Sequence, residues 1–351
     1  MKQNSYIEIV GSSNPRLNAM SEESRNTICV VLRRKYAKVG ITIVNTFADL
    51  EALVAKRPDF VVLGMKLVLL RPDLGYDDSP KVWLSDFLTQ HDIGFSGSDT
   101  EALQLEFDKP VAKQKVRRDG LKSPAYFVSP IKAPVFDHAL QFPLFVKPTN
   151  RGDSKGIDEQ SVVHTQLELK AKIIAIHASC DSDVLVEEYL PGREFSVAVV
   201  EHQSNSGLVA MPIEIVSPAD SNGNTFLSAA IKKADLERVK PVIDDALRDS
   251  LNALAIGVFR SLGARDYGRI DLRLDATGTP HFIEANLMPG LSNHGYLARC
   301  FMLNQHIRYE EMILGIVQLG ISRLSSSEFQ FADATVSSID GSAPDLISVV
   351  A

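Results

Sequence analysis

The sequence holds no run of about 18 consecutive apolar residues, so nothing in it reads as a membrane-spanning helix. Its first residues, Met1 to Asn14, carry one lysine and a short β-like run broken at Gly11, without the long apolar segment of a secretory leader. Cysteine is scarce. Cys29, Cys180 and Cys300 are odd in number, far apart, and belong to no CxxC or Cys/His cluster. That argues against a disulfide framework and a zinc site, and makes the cytoplasm the expected compartment. A continuous basic surface is also missing. The longest basic clusters, Arg33-Arg34-Lys35 and residues 113–118, lie in helix-like stretches of a chain with net charge −7. They read as solvated helix faces, so nucleic acid is not an expected partner, and neither is a membrane. No internal repeat is visible.

What is present is ordinary for a folded chain: 351 residues, 45% hydrophobic and 23% charged, enough for two or three domains with cores. Strand-like and helix-like segments alternate through the first hundred residues. Strands are expected at residues 6–10, 41–45, 60–63 and 93–95, and helices at 21–39, 47–55 and 80–90. This alternation predicts a parallel sheet with helices on its faces. Residues 99–119 are helical in pattern and end at Gly120, a natural C-cap. After Pro124 the signal changes to short strands at 125–128, 144–147, 161–163 and 184–189, with one helix at 166–177. A strand at 194–201, a long helix over 236–262, paired strands at 268–275 and 280–287, and a helix at 309–323 follow. The stretch from Ser325, rich in Ser, Asp and Ala, reads as a tail that is weakly ordered or docks on a partner.

The most informative segment runs from Gly268 to Leu287. Side chains i and i+2 share a face of a strand, so Arg269 and Asp271 point together, as do Glu284 and Asn286. Ile270, Leu272, Phe282 and Ile283 are assigned to the buried side, although Ile283 breaks strict alternation. A hairpin folded about Thr277-Gly278 sets Asp271 opposite Glu284 and Arg269 opposite Asn286. Two carboxylates facing each other repel unless positive charge lies between them. Hard oxygen ligands plus an amide suit Mg²⁺ with phosphates completing its shell, and Arg269 adds the fixed charge that phosphoryl transfer needs. Met288-Pro289-Gly290-Leu291-Ser292 then turns sharply, where backbone N–H groups can face a developing oxyanion.

Gly-Arg-Ile-Asp followed by Ile-Glu-Ala-Asn-Leu-Met-Pro-Gly-Leu-Ser closely resembles the C-terminal signature of D-alanine–D-alanine ligases in the ATP-grasp superfamily. The resemblance implies that Asp271, Glu284 and Asn286 hold two Mg²⁺ ions (Mn²⁺ as a possible substitute), that Arg269 steadies the transferred phosphate, and that the Gly290 amide joins the oxyanion hole. Three further blocks match in order. Phe142 to Pro148 is a strand carrying Lys147, followed by a loop with Gly152, Ser154 and Gly156 that resembles the family's phosphate loop, Asp153 standing where a Ser is usual. Asp108-Lys109, with Lys113 four residues on, resembles the helix whose first lysine reaches the nucleotide phosphates. Val184 to Val197 resembles the inter-domain strand, which implies that Glu187, Glu188 and the Leu190 backbone surround the adenine while Glu194 meets the ribose hydroxyls.

The departures lie on the substrate side. No clear Glu stands in the segment from Ser12 to Ser21, the lid lacks its usual Tyr and leaves Lys232 or Lys233 to reach the phosphates, and Gly295 replaces a hydroxyl-bearing residue. Ser292 and His294 are carried as candidate residues of the catalytic turn, His294 as a contact to the nucleophile or its carboxylate.

The expected fold is therefore α/β, with α+β character in the ATP-grasp part. A Rossmann-like domain (residues 1–105) precedes a central lobe (106–190), a catalytic lobe (191–324) and a tail (325–351). The expected activity is an ATP-dependent carboxylate–amine ligase, similar to D-alanine–D-alanine ligases but with an altered pocket for an amino-acid or carboxylic-acid donor and an amine acceptor. A genuine D-alanine–D-alanine ligase and a non-catalytic ATP-binding regulator are the alternatives. The resemblance also suggests a homodimer.

Overall fold

The computed structural model describes residues 3–152, 154–202, 207–220 and 222–334. Its first unit follows the order β1 (Gln3–Gly11), α1 (Glu22–Lys35), β2 (Tyr36–Ile43), α2 (Phe47–Ala55) and β3 (Phe60–Leu63). A small antiparallel pair, β4 (Leu67–Leu69) and β5 (Lys81–Trp83), brackets α3 (Gly75–Asp78), and α4 (Leu84–Gln90) leads to β6 (Gly94–Phe95). The main sheet is parallel throughout in the order β2-β1-β3-β6. Three boundaries differ from expectation. Helix α1 ends at Lys35 because Tyr36, wholly buried, enters β2 directly. Residues 81–83 pair as a strand before the helix begins at Leu84. The helical stretch after Asp99 breaks at Asp108 into α5 (Thr100–Phe107) and α6 (Lys109–Arg118), since the Asp108 carboxylate caps α6 by accepting from the Val111 N–H and Pro110 occupies its first turn.

A four-stranded antiparallel sheet comes next, in the order β7-β10-β8-β9, from β7 (Tyr126–Ser129), β8 (Leu144–Pro148), β9 (Val162–Val163) and β10 (Val184–Glu188), with α7 (Gln166–Cys180) across it. The third sheet has the order β13-β12-β11-β14-β15 and is also antiparallel. It is built from β11 (Glu194–Glu201), β12 (Leu208–Val216), β13 (Arg238–Pro241), β14 (Tyr267–Leu274) and β15 (Pro280–Asn286). Short α8 (Ala229–Lys233) precedes β13, and α9 (Asp245–Ser261) crosses the sheet. The long helix expected from residue 236 is thus wrong at its start: Val239 pairs with Ile215 on the sheet edge, and α9 begins only after Asp244, its N-cap. Sequence reading also missed β12 and α10 (Tyr296–Gln305). The last helix, α11 (Tyr309–Ala334), runs into the segment read as a tail, and residues 335–351 lie outside the described residues.

The cores show how these sheets are joined. Val10, Val61 and Leu63 of the first sheet share one apolar cluster with Val197, Ile270 and Leu272 of the third. Ile7 and Ile9 share a second cluster with Ala198, Tyr267 and Ile313. The middle sheet has its own core of Leu144, Val146, Ile173 and Val186. The first and third sheets therefore bury their apolar faces together, while the middle sheet has a separate core against α7. A buried carboxylate reinforces the first joint: Asp266 accepts from the Gly97 N–H at 2.7 Å and is gripped by Arg323 at 2.9 and 3.1 Å.

Candidate active site

The β14–β15 hairpin pairs Arg269 with Asn286 and Asp271 with Glu284, the register expected from a turn at Thr277-Gly278. Gly278 supplies the positive φ that this turn needs, at 82°. The register then shifts between Asp271 and Leu272, and Leu272 pairs with Phe282, which leaves Ile283 as an extra residue. A bulge of this kind re-aims side chains. Phe282 is wholly buried, whereas Ile283 lines the cleft beside Glu284. The broken alternation at Ile283 was the sign of this bulge, and its assignment to the buried side is corrected.

Charge is balanced closely on this face. Arg269 holds both oxygens of Asp271, at 3.1 and 3.2 Å, and Ser196 Oγ donates to the same carboxylate at 2.6 Å. The guanidinium lies over the Tyr296 ring, 5.3 Å from its centroid. Burial favours protonation of Glu284, but Lys109, Lys147, Lys232 and Arg269 outweigh it and hold the carboxyl down at about 2. The nearest of these is Lys109 Nζ, at 3.8 Å. The Asn286 Oδ1 atom is buried and accepts no hydrogen bond among the described residues.

Opposite lies a second charged layer. Glu187 on β10 takes Lys113 on one oxygen at 2.6 Å and Lys147 on the other at 2.7 Å, all three side chains almost wholly buried. Burial raises the Glu187 pKa, yet the two lysines outweigh it and keep the carboxyl below its ordinary value. Burial lowers Lys113 to about 8 despite Glu187. Lys147 also loses by burial, but Glu187 and Glu284 leave its pKa above the ordinary value. Lys109 Nζ donates to the Arg151 carbonyl at 2.7 Å, tying α6 to the loop after β8.

Between these layers is a cleft lined by residues of both. Phe145, Ile157, Leu190, Phe226 and Ile283 give it apolar walls. Its polar lining includes Lys147, Ser154, Glu188, Glu194, Lys232 and Asp271. Ser154 Oγ also donates to the Leu227 carbonyl at 2.9 Å, joining the loop after β8 to the segment before α8. The Glu188 carboxylate accepts from the Ala125 N–H at 3.0 Å.

Not all expected residues gather here. Lys232 lines the cleft, while Lys233 is exposed outside it. Gly152 is exposed with open space around its Cα, and Asp153 lies outside the described residues. Gly290 faces the first unit so closely that a Cβ would sit 2.5 Å from the Ala19 carbonyl oxygen. Ser292 is half-buried at the end of that turn, and His294 is exposed. The turn itself is pinned by Glu106, which accepts from the Leu287 N–H at 2.9 Å, and by the Tyr309 hydroxyl, which donates to the Leu291 carbonyl at 2.8 Å. Lys113, Ile283 and Arg273 escaped the sequence reading as site residues. Arg273 was visible in principle, since it continues the i, i+2 row of Arg269 and Asp271.

Hard-ion binding fits this donor set. Among the described residues no three His, Cys, Asp or Glu side chains converge as a metal cluster. Two carboxylates and an unpartnered buried amide oxygen, next to lysines, suit Mg²⁺ that shares its shell with phosphates.

The family model for the D-ala D-ala ligase C-terminus matches residues 129–318, more than half of the chain. The chain belongs to that family. It is an ATP-grasp protein of the D-alanine–D-alanine ligase type and thus an ATP-dependent ligase. A D-alanine–D-alanine ligase of Marinomonas is 27% identical over 294 residues, 83% of this chain and 88% of that one. An uncharacterized protein of Sinorhizobium fredii is 30% identical over 232 residues, 66% of this chain and 67% of that one. Among solved structures, the D-alanine–D-alanine ligase of Bacillus anthracis complexed with ATP superposes with a TM-score of 0.71 at 19% identity, over 93% of this chain and 100% of that one. This last likeness bears on the fold, which the two chains share over nearly the whole of this one. Among the described residues no helix is long and apolar enough to cross a membrane.

Proposed function

We propose that this ATP-grasp ligase joins a carboxylate to an amine through an acyl-phosphate, and that its substrates differ from the D-alanine pair. What carries the ligase reading is the hairpin pairing of Arg269–Asn286 and Asp271–Glu284 against Lys109, Lys147 and Lys232. In this reading the cleft binds ATP with the base between Phe226 and Ile283, Glu194 accepts from the ribose hydroxyls, and Lys109, Lys147 and Lys232 hold the phosphates. Asp271, Glu284 and Asn286 would bind two Mg²⁺ ions, which when present spread the charge of the phosphates. The donor carboxylate oxygen attacks the γ-phosphorus and ADP leaves. The amine then attacks the acyl carbon and inorganic phosphate leaves. Arg269 stays fixed by Asp271 and Tyr296, so its charge needs little reorganisation as the transition state forms. The lid residues Phe226 and Leu227 cover the cleft and exclude water that would hydrolyse the intermediate.

An altered donor pocket is supported by the carboxyl ends of β1 and β2. There Asn45 Oδ1 accepts from Ser12 Oγ at 2.8 Å and from Ser13 N at 3.0 Å, a neutral polar network where the family carries a carboxylate for the donor's ammonium. The second reading, a genuine D-alanine–D-alanine ligase, is favoured by the near full-length match to the Marinomonas enzyme of that name. We further place a unit boundary at residue 190, the enzyme in the cytoplasm, and its quaternary state as a homodimer.

The test is phosphate release from ATP and Mg²⁺ across single and paired amino acids, with mass spectrometry of products. Turnover with D-alanine alone would select the second reading, and turnover only with another pair would select the first. Glu284→Gln is expected to lower turnover at least about a hundredfold, the scale of losing one charge-stabilising group. Near-normal turnover in that variant would sink this ligase mechanism.

A further inference from the structure

Arg273 lies outside the residues placed in catalysis, yet it has more polar partners than any other side chain in the cleft wall. Its side chain is 8% exposed. Nε donates to the Leu190 carbonyl at 2.5 Å, and Nη1 to Glu194 Oε2 at 2.9 Å. Nη2 donates to the Thr225 carbonyl, to Thr225 Oγ1 at 3.2 Å and to the Tyr189 hydroxyl at 3.4 Å. The guanidinium also lies over the Tyr189 ring, 5.3 Å from its centroid. One planar fork thus meets three separate pieces of the cleft: the link after β10, the carboxylate at the start of β11, and the lid segment before α8. The Tyr189 hydroxyl closes the circuit by bonding both the carbonyl and the N–H of Thr225, at 3.3 and 3.2 Å.

We infer that Arg273 is the positioning residue that fixes Glu194 for sugar recognition and couples it to the seated lid. The inference rests on the nucleotide reading of the cleft. A carboxylate that must accept from ribose hydroxyls needs one oxygen anchored and the other free in a set direction. Arg273 anchors Oε2, and Glu194 lines the cleft. A lysine could keep the charge but could not serve Leu190, Glu194 and Thr225 together, because a point ammonium lacks the fork. Without the clasp, Glu194 can rotate and the lid loses its tie to the base end of the cleft. The affinity for the ribose hydroxyls is then lost selectively.

The experiment compares dissociation constants for ATP and 2′-deoxyATP, with Mg²⁺, by calorimetry of the full chain. The wild type is expected to prefer ATP by about tenfold, the scale of hydrogen bonds to a charged acceptor. Arg273→Met should bring the two nucleotides within about twofold of each other. Arg273→Lys should fall between, and Tyr189→Phe should shift the ratio in the same direction by a smaller factor. Should Arg273→Met fail to fold by circular dichroism, Arg273→Lys and Tyr189→Phe carry the test. Equal weakening of both nucleotides, or an unchanged ratio, overturns the proposal and leaves Arg273 a packing residue. A wild type that binds no ATP would sink the nucleotide reading itself, whereas intact binding with an unmoved ratio sinks this inference alone.

Discussion

Glu187 illustrates how much a single residue can carry away from the reacting atoms. Resemblance places it at the adenine, yet both of its oxygens are held by Lys113 and Lys147 in a nearly water-free layer. Removing its charge strands two buried ammonium groups. Glu187→Gln is therefore expected to destabilise the fold by about 3–5 kcal/mol, the range for breaking a buried pair from one side. Urea unfolding checks this, and a loss below about 1 kcal/mol would show that water reaches the layer. The pH dependence follows from the sign of the shift. The folded carboxyl titrates below its ordinary value, so its contribution is complete above that value and is lost as pH falls through the lower folded one. The variant's stability should consequently vary less over the acid range than that of the wild type.

At the scale of an element, the bulge in β15 decides what the hairpin can bind. A strictly alternating strand would have sent Ile283 to the side opposite Glu284. The extra residue lets Phe282 stay in the core while Ile283 and Glu284 both reach the cleft. In the proposed nucleotide reading, an apolar floor for the base and a carboxylate for the metal thus come from adjacent positions. Truncation by Ile283→Ala is expected to raise the KM for ATP roughly tenfold with kcat changed much less, since partial burial of such a side chain contributes on the order of 1–2 kcal/mol. A change confined to kcat would mean that Ile283 shapes the reacting centre instead.

For the whole molecule, the shared cores of the first and third sheets and the separate core of the middle one predict which part moves. The middle sheet carries Lys147, and the loop after β8 reaches the lid through Ser154. Nucleotide should draw this lobe onto the other two, which stay joined through Asp266 and Arg323. Hydrogen exchange with and without ATP and Mg²⁺ should show added protection in residues 144–188 and the lid, and little change in β1, β3 and β14. Uniform protection across all three sheets would show that they move as one body.

Much of this protein is legible in its sequence because its signals are local. Strand periodicity places Arg269 with Asp271 and Glu284 with Asn286, and the turn at Thr277-Gly278 fixes their register without any tertiary contact. The alternation of the first hundred residues predicted a parallel sheet, as observed. Where the reading erred, a local signal was cut short by a distant partner or by a cap. Arg238–Pro241 is a strand because β12 offers an edge, and the helix after Asp99 breaks because Asp108 can cap a new one. Only the tertiary structure could bring Lys113 and Lys147 to the same carboxylate, or Arg273 to three segments of the cleft, for those contacts join residues far apart in the chain. A pattern of period two or 3.6 tells which face a side chain takes; what waits on that face is decided by how the sheets are stacked.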